Sequence, residues 1–292
     1  MSDAEIVAEA PLRVACVQMC PNVGEKATNL AKSEEAIREA AATGARLVVL
    51  PELANSGYVF RTRDEAFELS EPVPNGETTE LWGSLANSLG ITIVAGICER
   101  EDSALYNSAV TIGPNGYIGT YRKVHLWGNE ALFFEPGNLG FPVFTTDLGR
   151  IASFICYDCW FAEVFRCCAL KGADILCVPT NWVPIPGQHE GREAMANIIV
   201  MAAAHTNSVF VAAADRIGTE RGQPFIGQSV IVSYTGWPIG GPASKDGEEI
   251  IYADINLSDA RKRRTWNEFN HILRDRRPDV YSQETSEPRI RM

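Results

Sequence analysis

Residues 151–178 read IASFICYDCWFAEVFRCCALKGADILCV. An apolar, β-branched run (Ile151 to Ile155) is followed by a helical stretch (161 to 171) and a second apolar run (Asp174 to Val178). That is a strand–helix–strand unit. The same alternation extends outward in both directions. Towards the N-terminus, Arg13 to Gln18 reads as a strand. An amphipathic helix over 24–43 follows, with Ala27, Leu30, Ile37 and Ala41 on one face and Gly44 placed to stop it. Arg46 to Leu50 is an apolar strand ending at Pro51, residues 77–89 form a helix, and Ile91 to Ile97 is the next strand. Asn107 to Ile112 and Gly116 to Tyr121 flank Gly113-Pro114-Asn115, a hairpin signal. Towards the C-terminus, a helix over 192–205 precedes a strand from Ser208 to Ala214, and Ser229 to Ser233 and Glu249 to Ile255 add two more. Long helical connections mixed with tight hairpins imply an α/β fold with mixed sheets, two of them, covered by helices.

The chain has 292 residues, with 26 Lys and Arg against 37 Asp and Glu, a net charge of −11. Such a balance argues against nucleic acid as a partner and against a polybasic membrane surface. At 46% hydrophobic and 22% charged, the composition is that of a globular protein with a large core. No apolar run is long enough to span a bilayer, and the acidic start Met1-Ser2-Asp3-Ala4-Glu5 is unlike a secretory signal. The eight cysteines lie mostly inside apolar runs and read as small buried hydrophobes of a reducing compartment, the cytoplasm. No linker or repeat is evident. The expectation is one domain over 1–292, with its core over about 12–256 and a tail over 257–292. The tail is charge-dense (Arg261 to Arg264, Arg274 to Pro278) and reads as a solvated face or a subunit contact.

Cys156 stands apart from the other cysteines. It follows Phe154-Ile155 at a strand end and precedes a helix start, where backbone N–H groups can hold developing negative charge. An inert strand-end cysteine is the plainer alternative. Cys156 and Cys159 also match C-x-x-C, so a non-catalytic or redox-sensing protein stays open as a different class; a zinc site lacks a second ligand pair of suitable spacing. None of His125, His189, His205 and His271 occupies a setting that singles it out as a base. Glu52 is the next candidate base: it follows Leu50-Pro51 at the end of an all-apolar strand, where a carboxylate is costly to desolvate, with an ordinary Pro-Glu turn as the plainer alternative. Lys123 ends another strand in Tyr121-Arg122-Lys123-Val124-His125-Leu126 and could supply a fixed positive charge or be a solvated terminus.

Leu50-Pro51-Glu52, Tyr121 to Leu126 and Ile155-Cys156-Tyr157-Asp158 occur in the order Glu, Lys, Cys, each at the end of an apolar strand. The pattern resembles the nitrilase superfamily of carbon–nitrogen hydrolases, from about Val14 to about Ile255. Leu105 to Ala109, Gly116 to Gly119, Phe133 to Gly137, Leu170 to Asp174 and Pro179 to Trp182 fit as well. The resemblance implies a four-layer α-β-β-α sandwich and a Glu52–Lys123–Cys156 triad. In it Glu52 is the general base, Cys156 the nucleophile and Lys123 the stabiliser of the tetrahedral intermediate, with the Tyr157 N–H as a second donor. Glu130 matches the second glutamate of the family, with Glu135 as the competing assignment. Asn181 and Trp182 fall where family members line the pocket, though Trp182 could equally be a packing aromatic. Tyr58 and Trp127 are candidates for its rim. No metal or organic cofactor is implied, and homodimers or larger homo-oligomers are common in the family.

The implied activity is a cysteine-dependent amidase acting on small aliphatic amides or carbamoyl amines through a thioester, releasing ammonia. The Tyr157-Asp158 pair after the nucleophile resembles the amidase and carbamoylase branches, and no arginine pair follows Cys156 as in the branch that binds carbamoyl amino-acid carboxylates. The stretch from Asp215 to Gly218 and from Phe225 to Ser229 is similar to a smaller group with aliphatic nitrilase activity, which keeps a nitrilase as the alternative. Two departures from the family pattern stand out: Ala162 replaces a frequent proline, and Ala203 to Asn207 lacks a common Arg/Glu pair.

Overall fold

The computed structural model describes residues 11–187 and 193–285. His189, the expected helix start at 192, the acidic N-terminal residues and the tail beyond 285 lie outside the described residues. In chain order the first elements are β1 (Leu12–Gln18), α1 (Lys26–Ala42), β2 (Leu47–Val49), α2 (Arg63–Leu69), α3 (Glu77–Leu89), β3 (Thr92–Glu101), β4 (Ala104–Gly113) and β5 (Gly116–Arg122). The second half holds β6 (Val143–Thr146), β7 (Gly149–Ser153), α4 (Ala162–Leu170), β8 (Ile175–Pro179), α5 (Met195–Asn207) and β9 (Phe210–Ala214). Then follow β10 (Thr219–Glu220), β11 (Gln223–Pro224), β12 (Val230–Val232), β13 (Pro238–Gly240), β14 (Glu249–Ile255), α6 (Leu257–Lys262) and α7 (Pro278–Thr285).

Two six-stranded mixed sheets form, ordered β14-β1-β2-β3-β4-β5 and β13-β12-β9-β8-β7-β6. In the first, β1, β2 and β3 are parallel and β4 and β5 extend them as antiparallel hairpins. In the second, β7, β8 and β9 are parallel. Strand alternation assigns the layers. Val14 and Cys16 of β1, with Leu47 and Val49 of β2, pack against Ile151, Ile175, Cys177 and Phe210 of the other sheet. The intervening Ala15, Val17 and Val48 pack on Ile37 of α1 and Trp82 and Leu85 of α3. Ala152, Leu176 and Val211 turn the other way, onto Val164 and Phe165 of α4 and Val200 of α5. The result is a four-layer α-β-β-α sandwich, and because both faces of each sheet are covered its inner strands read as continuous apolar runs.

Several boundaries differ from the sequence expectation for local reasons. The strand after α5 starts at Phe210, because Ser208 takes a left-handed conformation (φ 50°) that closes the helix. The buried face of α1 is Asn29, Leu30, Ser33, Ile37 and Ala40, and Ala27 is exposed. Two polar residues hold inward places there because their hydrogen bonds are satisfied: Asn29 Nδ2 donates to the Asn22 and Asn55 carbonyls (2.8 and 3.1 Å), and Ser33 Oγ accepts from Trp82 Nε1 at 3.0 Å. Cys20 and Cys167 are half-buried rather than core, and all eight cysteines are free.

What the topology does for chemistry is specific. β5 runs in the same direction as β2 and β3, so Glu52 (after β2) and Lys123 (after β5) emerge at one sheet edge. Cys156 (after β7) and Asn181 (after β8) emerge at the carboxyl edge of the other. Open α/β sheets place their ligand sites at such carboxyl ends.

Candidate active site

Glu52 is fully buried. Its Oε1 accepts from Lys123 Nζ at 2.6 Å and from Asn107 Nδ2 at 2.7 Å. Its Oε2 is buried with no hydrogen-bond partner among the described residues. Burial pushes the carboxyl up to about 7, with Lys123 pulling it down and Glu130 adding to the rise. The turn that carries it is held by β3: Gly96 N–H donates to the Pro51 carbonyl and Gly96 C=O accepts from Ala54 N–H, both at 3.0 Å. A Cβ at residue 96 would stand 2.4 Å from Glu52 Cα, so only glycine permits this approach.

Lys123 is also buried, and its ammonium contacts Glu52 Oε1 and Glu130 Oε1, the latter at 2.7 Å. Desolvation works against the charge, but the two carboxylates outweigh it and hold the amine well above the ordinary lysine range. Its backbone is gripped by Gly137, whose N–H donates to the Lys123 carbonyl at 2.8 Å. Glu130 lies in a short 3-10 turn (Gly128–Leu132), accepts from Tyr58 Oη at 2.6 Å, and receives the Trp127 N–H on Oε2 at 3.1 Å. Glu135 is exposed, with its nearest ionic partner Arg63 at 3.9 Å.

Cys156 takes φ 47° at the start of a 3-10 turn (Cys156–Trp160) leading into α4. A non-glycine residue in that region is strained, by roughly 1–3 kcal/mol. Its thiol is pushed well above the usual range, first by burial and then by the Glu52 charge, with Lys123 opposing. Asn181 Nδ2 donates to the Glu52 carbonyl at 2.9 Å, joining the carboxyl edges of the two sheets. Trp182 Nε1 reaches the Cys156 carbonyl at 3.5 Å. Tyr157 packs edge-on against Trp127 at 4.8 Å.

Two cavities flank the cluster. One, of about 20 Å³, lies against Cys156 between Trp127, Tyr157, Trp160, Asn181, Trp182, Val183 and Ile185. The other, of about 270 Å³, is lined by Tyr58, Phe60, Trp127, Asn129, Glu130 and Gln223 among others. Trp127 and Val183 border both.

Sequence reasoning gave no role to Asn107 or to Glu220. Asn107 sits mid-strand in β4, in a segment read above only as a hairpin strand and a family match. Glu220 is buried on the short β10 and binds the Tyr58 loop: its carboxylate accepts from the N–H groups of Tyr58 (2.8 Å), Val59 (2.7 Å) and Val23 (2.7 Å) and pairs with Arg216 at 3.2 Å. It lies 162 residues from Tyr58 in sequence, so only the fold reveals the contact.

A buried thiol, a buried ammonium and a carboxylate oxygen with no partner among the described residues thus lie at the joined carboxyl edges of an α-β-β-α sandwich. The carbon–nitrogen hydrolase family model matches residues 13–265. The chain is 44% identical over 270 residues to a nitrilase of Pyrococcus abyssi (92% of this chain, 99% of the relative). It is 35% identical over 271 residues to the N-carbamoylputrescine amidase of Arabidopsis thaliana (87% and 89%). The crystal structure of a carbon–nitrogen hydrolase from Helicobacter pylori G27 superposes with a TM-score of 0.83 at 27% identity, covering 94% of this chain and 98% of that one. The chain belongs to the carbon–nitrogen hydrolase family, and it is an enzyme of that type.

Proposed function

We propose that the protein is an amidase for small aliphatic amides or carbamoyl amines, with Glu52, Lys123 and Cys156 as its catalytic residues. The observation that carries this is the buried Oε2 of Glu52, which has no hydrogen-bond partner among the described residues and belongs to a carboxyl poised at about 7 in the field of the buried Cys156 thiol. A carboxyl at that value can both accept and return a proton near neutrality. The Cys156 sulfur attacks the carbonyl carbon while its proton passes to Glu52 Oε2. The oxyanion is stabilised by the Lys123 ammonium and the Tyr157 N–H. Glu52 then protonates the departing nitrogen, ammonia or an amine leaves, and a thioester remains on Cys156. A water deprotonated by Glu52 attacks the thioester, and collapse releases the acid and regenerates the thiol.

Glu130 keeps Lys123 oriented, and Tyr58 keeps Glu130 oriented. The cramped aromatic cavity at Cys156 favours a short acyl chain. The Cys159 thiol is buried and pushed well above the usual range, which counts against a redox pair with Cys156. Among the described residues no helix is long and apolar enough to cross a membrane; with the acidic composition this supports a cytoplasmic enzyme without nucleic-acid or membrane partners. The protein is one domain with a tail over 257–292 and forms a homodimer or larger assembly, which light scattering tests.

A nitrilase is the second reading, favoured by the name of the Pyrococcus abyssi relative. Ammonia release from acetamide, propionamide, carbamoyl amines and the matching nitriles separates the two. Amide or carbamoyl turnover with inert nitriles is the expected result. Faster nitrile turnover supports the second reading, and no ammonia from any of them overturns both.

A further inference from the structure

The two halves of the catalytic cluster come from different sheets, so something must fix the thiol relative to the ammonium. We infer that Asp158 is the positioning residue that does this: its carboxylate clasps the turn bearing Cys156 to the strand end bearing Lys123.

Asp158 is fully buried, and both of its oxygens are doubly engaged. Oδ2 accepts from the Ile155 N–H at 3.0 Å and from Tyr121 Oη at 2.6 Å. Oδ1 accepts from the His125 N–H at 3.0 Å and meets His125 Nδ1 at 2.7 Å. Ile155 immediately precedes the nucleophile, whereas Tyr121 and His125 bracket Lys123. Tyr121 Oη in turn accepts from the Val124 N–H at 3.1 Å, so the residue after the lysine is caught as well. A second contact joins the same two segments: the His125 ring stacks on Phe161, the residue that closes the nucleophile turn, with centroids 3.7 Å apart. Capping the Cys156–Trp160 turn needs only the Ile155 bond; the bonds to Tyr121 and His125 reach the other sheet. A buried group with every lone pair engaged has one low-energy placement, and misplacing reacting groups by about 1 Å can cost roughly 100-fold in rate.

Asp158→Asn is nearly isosteric, yet its amide nitrogen cannot accept from the donors that face the carboxylate. The expected result is a folded protein whose kcat falls about 10- to 100-fold with KM held within about twofold. The pH profile of iodoacetamide labelling at Cys156 is expected to shift by about half a unit or more, since the thiol senses Glu52 and Lys123. A purely structural role would lower thermal stability and leave that profile in place. Tyr121→Phe removes one hydroxyl and is expected to lower kcat about threefold or more in the same direction; combined with Asp158→Asn it adds little, because one clasp is already open. If Asp158→Asn does not fold, Tyr121→Phe decides alone. Wild-type kcat and an unmoved labelling profile in the folded variants overturn the inference. Because the clasp matters only if Cys156 and Lys123 react as proposed, Cys156→Ala is assayed alongside. Turnover by that variant sinks the catalytic reading itself, whereas an inactive Cys156→Ala beside an unaffected Asp158→Asn sinks only the clasp.

Discussion

Replacing Asn107 by leucine should move the acidic limb of kcat/KM upward. Asn107 Nδ2 donates to Glu52 Oε1 at 2.7 Å, inside a fully buried site. A donor stabilises the charged form of its acceptor, so its loss raises the carboxyl further above about 7. Hydrogen bonds to charged groups contribute about 1.5–3 kcal/mol. At about 1.36 kcal/mol per pKa unit, the lower end of that range is about one unit. The lower end applies because the Lys123 bond to the same oxygen remains. Leucine keeps the volume and keeps water out, and Asn107 Oδ1 has no partner among the described residues, so no second bond is lost. If, as proposed, the ionised Glu52 takes the thiol proton, activity is lost as pH falls through its pKa. The variant should therefore be about tenfold slower than wild type at pH near 6 and within about twofold at pH near 9.5. Ammonia release from a short amide, measured as kcat/KM from acid to alkaline pH, reads this directly. A folded variant whose acidic limb stays put, or moves down, refutes Glu52 as the base that sets it.

Three further outcomes follow from the same geometry. Lys123→Met strands the Glu52 and Glu130 carboxylates without their shared cation and should cost about 3–5 kcal/mol in urea unfolding, part of it recovered by adding Glu52→Gln; an unchanged midpoint contradicts the ion cluster. Trp127→Ala merges the two cavities and should raise the ratio of hexanamide to acetamide kcat/KM about tenfold or more; an unchanged ratio removes Trp127 as a wall of the substrate site. Gly137→Ala would set a Cβ 2.0 Å from the Arg122 carbonyl oxygen, displacing the Lys123 backbone, and should lower kcat about tenfold with the fold retained by circular dichroism; wild-type kcat argues against that grip.

Much of the sandwich is legible in the chain because its inner strands are buried on both faces and announce themselves as unbroken β-branched runs. The short edge strands β6 and β13 are only partly buried and carry no such signal. Glu52, Lys123 and Cys156 stand out for the complementary reason: each is a polar or reactive group closing an apolar strand. Asn107 does not, because a polar residue inside a strand has nothing local to mark it until β5 and β2 bring Lys123 and Glu52 alongside. Glu220 is hidden the same way, since its partners are backbone N–H groups far off in sequence; Asp158 stands in the quoted Cys156 motif, but its bonds to Tyr121 and His125 show only in the fold. Ala27 shows the converse: apolarity placed it on the buried face of α1, while satisfied hydrogen bonds let Asn29 and Ser33 go inward instead.

The sulfur of Cys156 carries the whole catalytic account, and its removal is the most direct test. Ammonia release by Cys156→Ala, with folding verified by an unchanged circular dichroism spectrum and thermal midpoint, should fall by at least about a thousandfold for every substrate the wild type turns over. Turnover within about tenfold of wild type by that folded variant would contradict a thioester on Cys156.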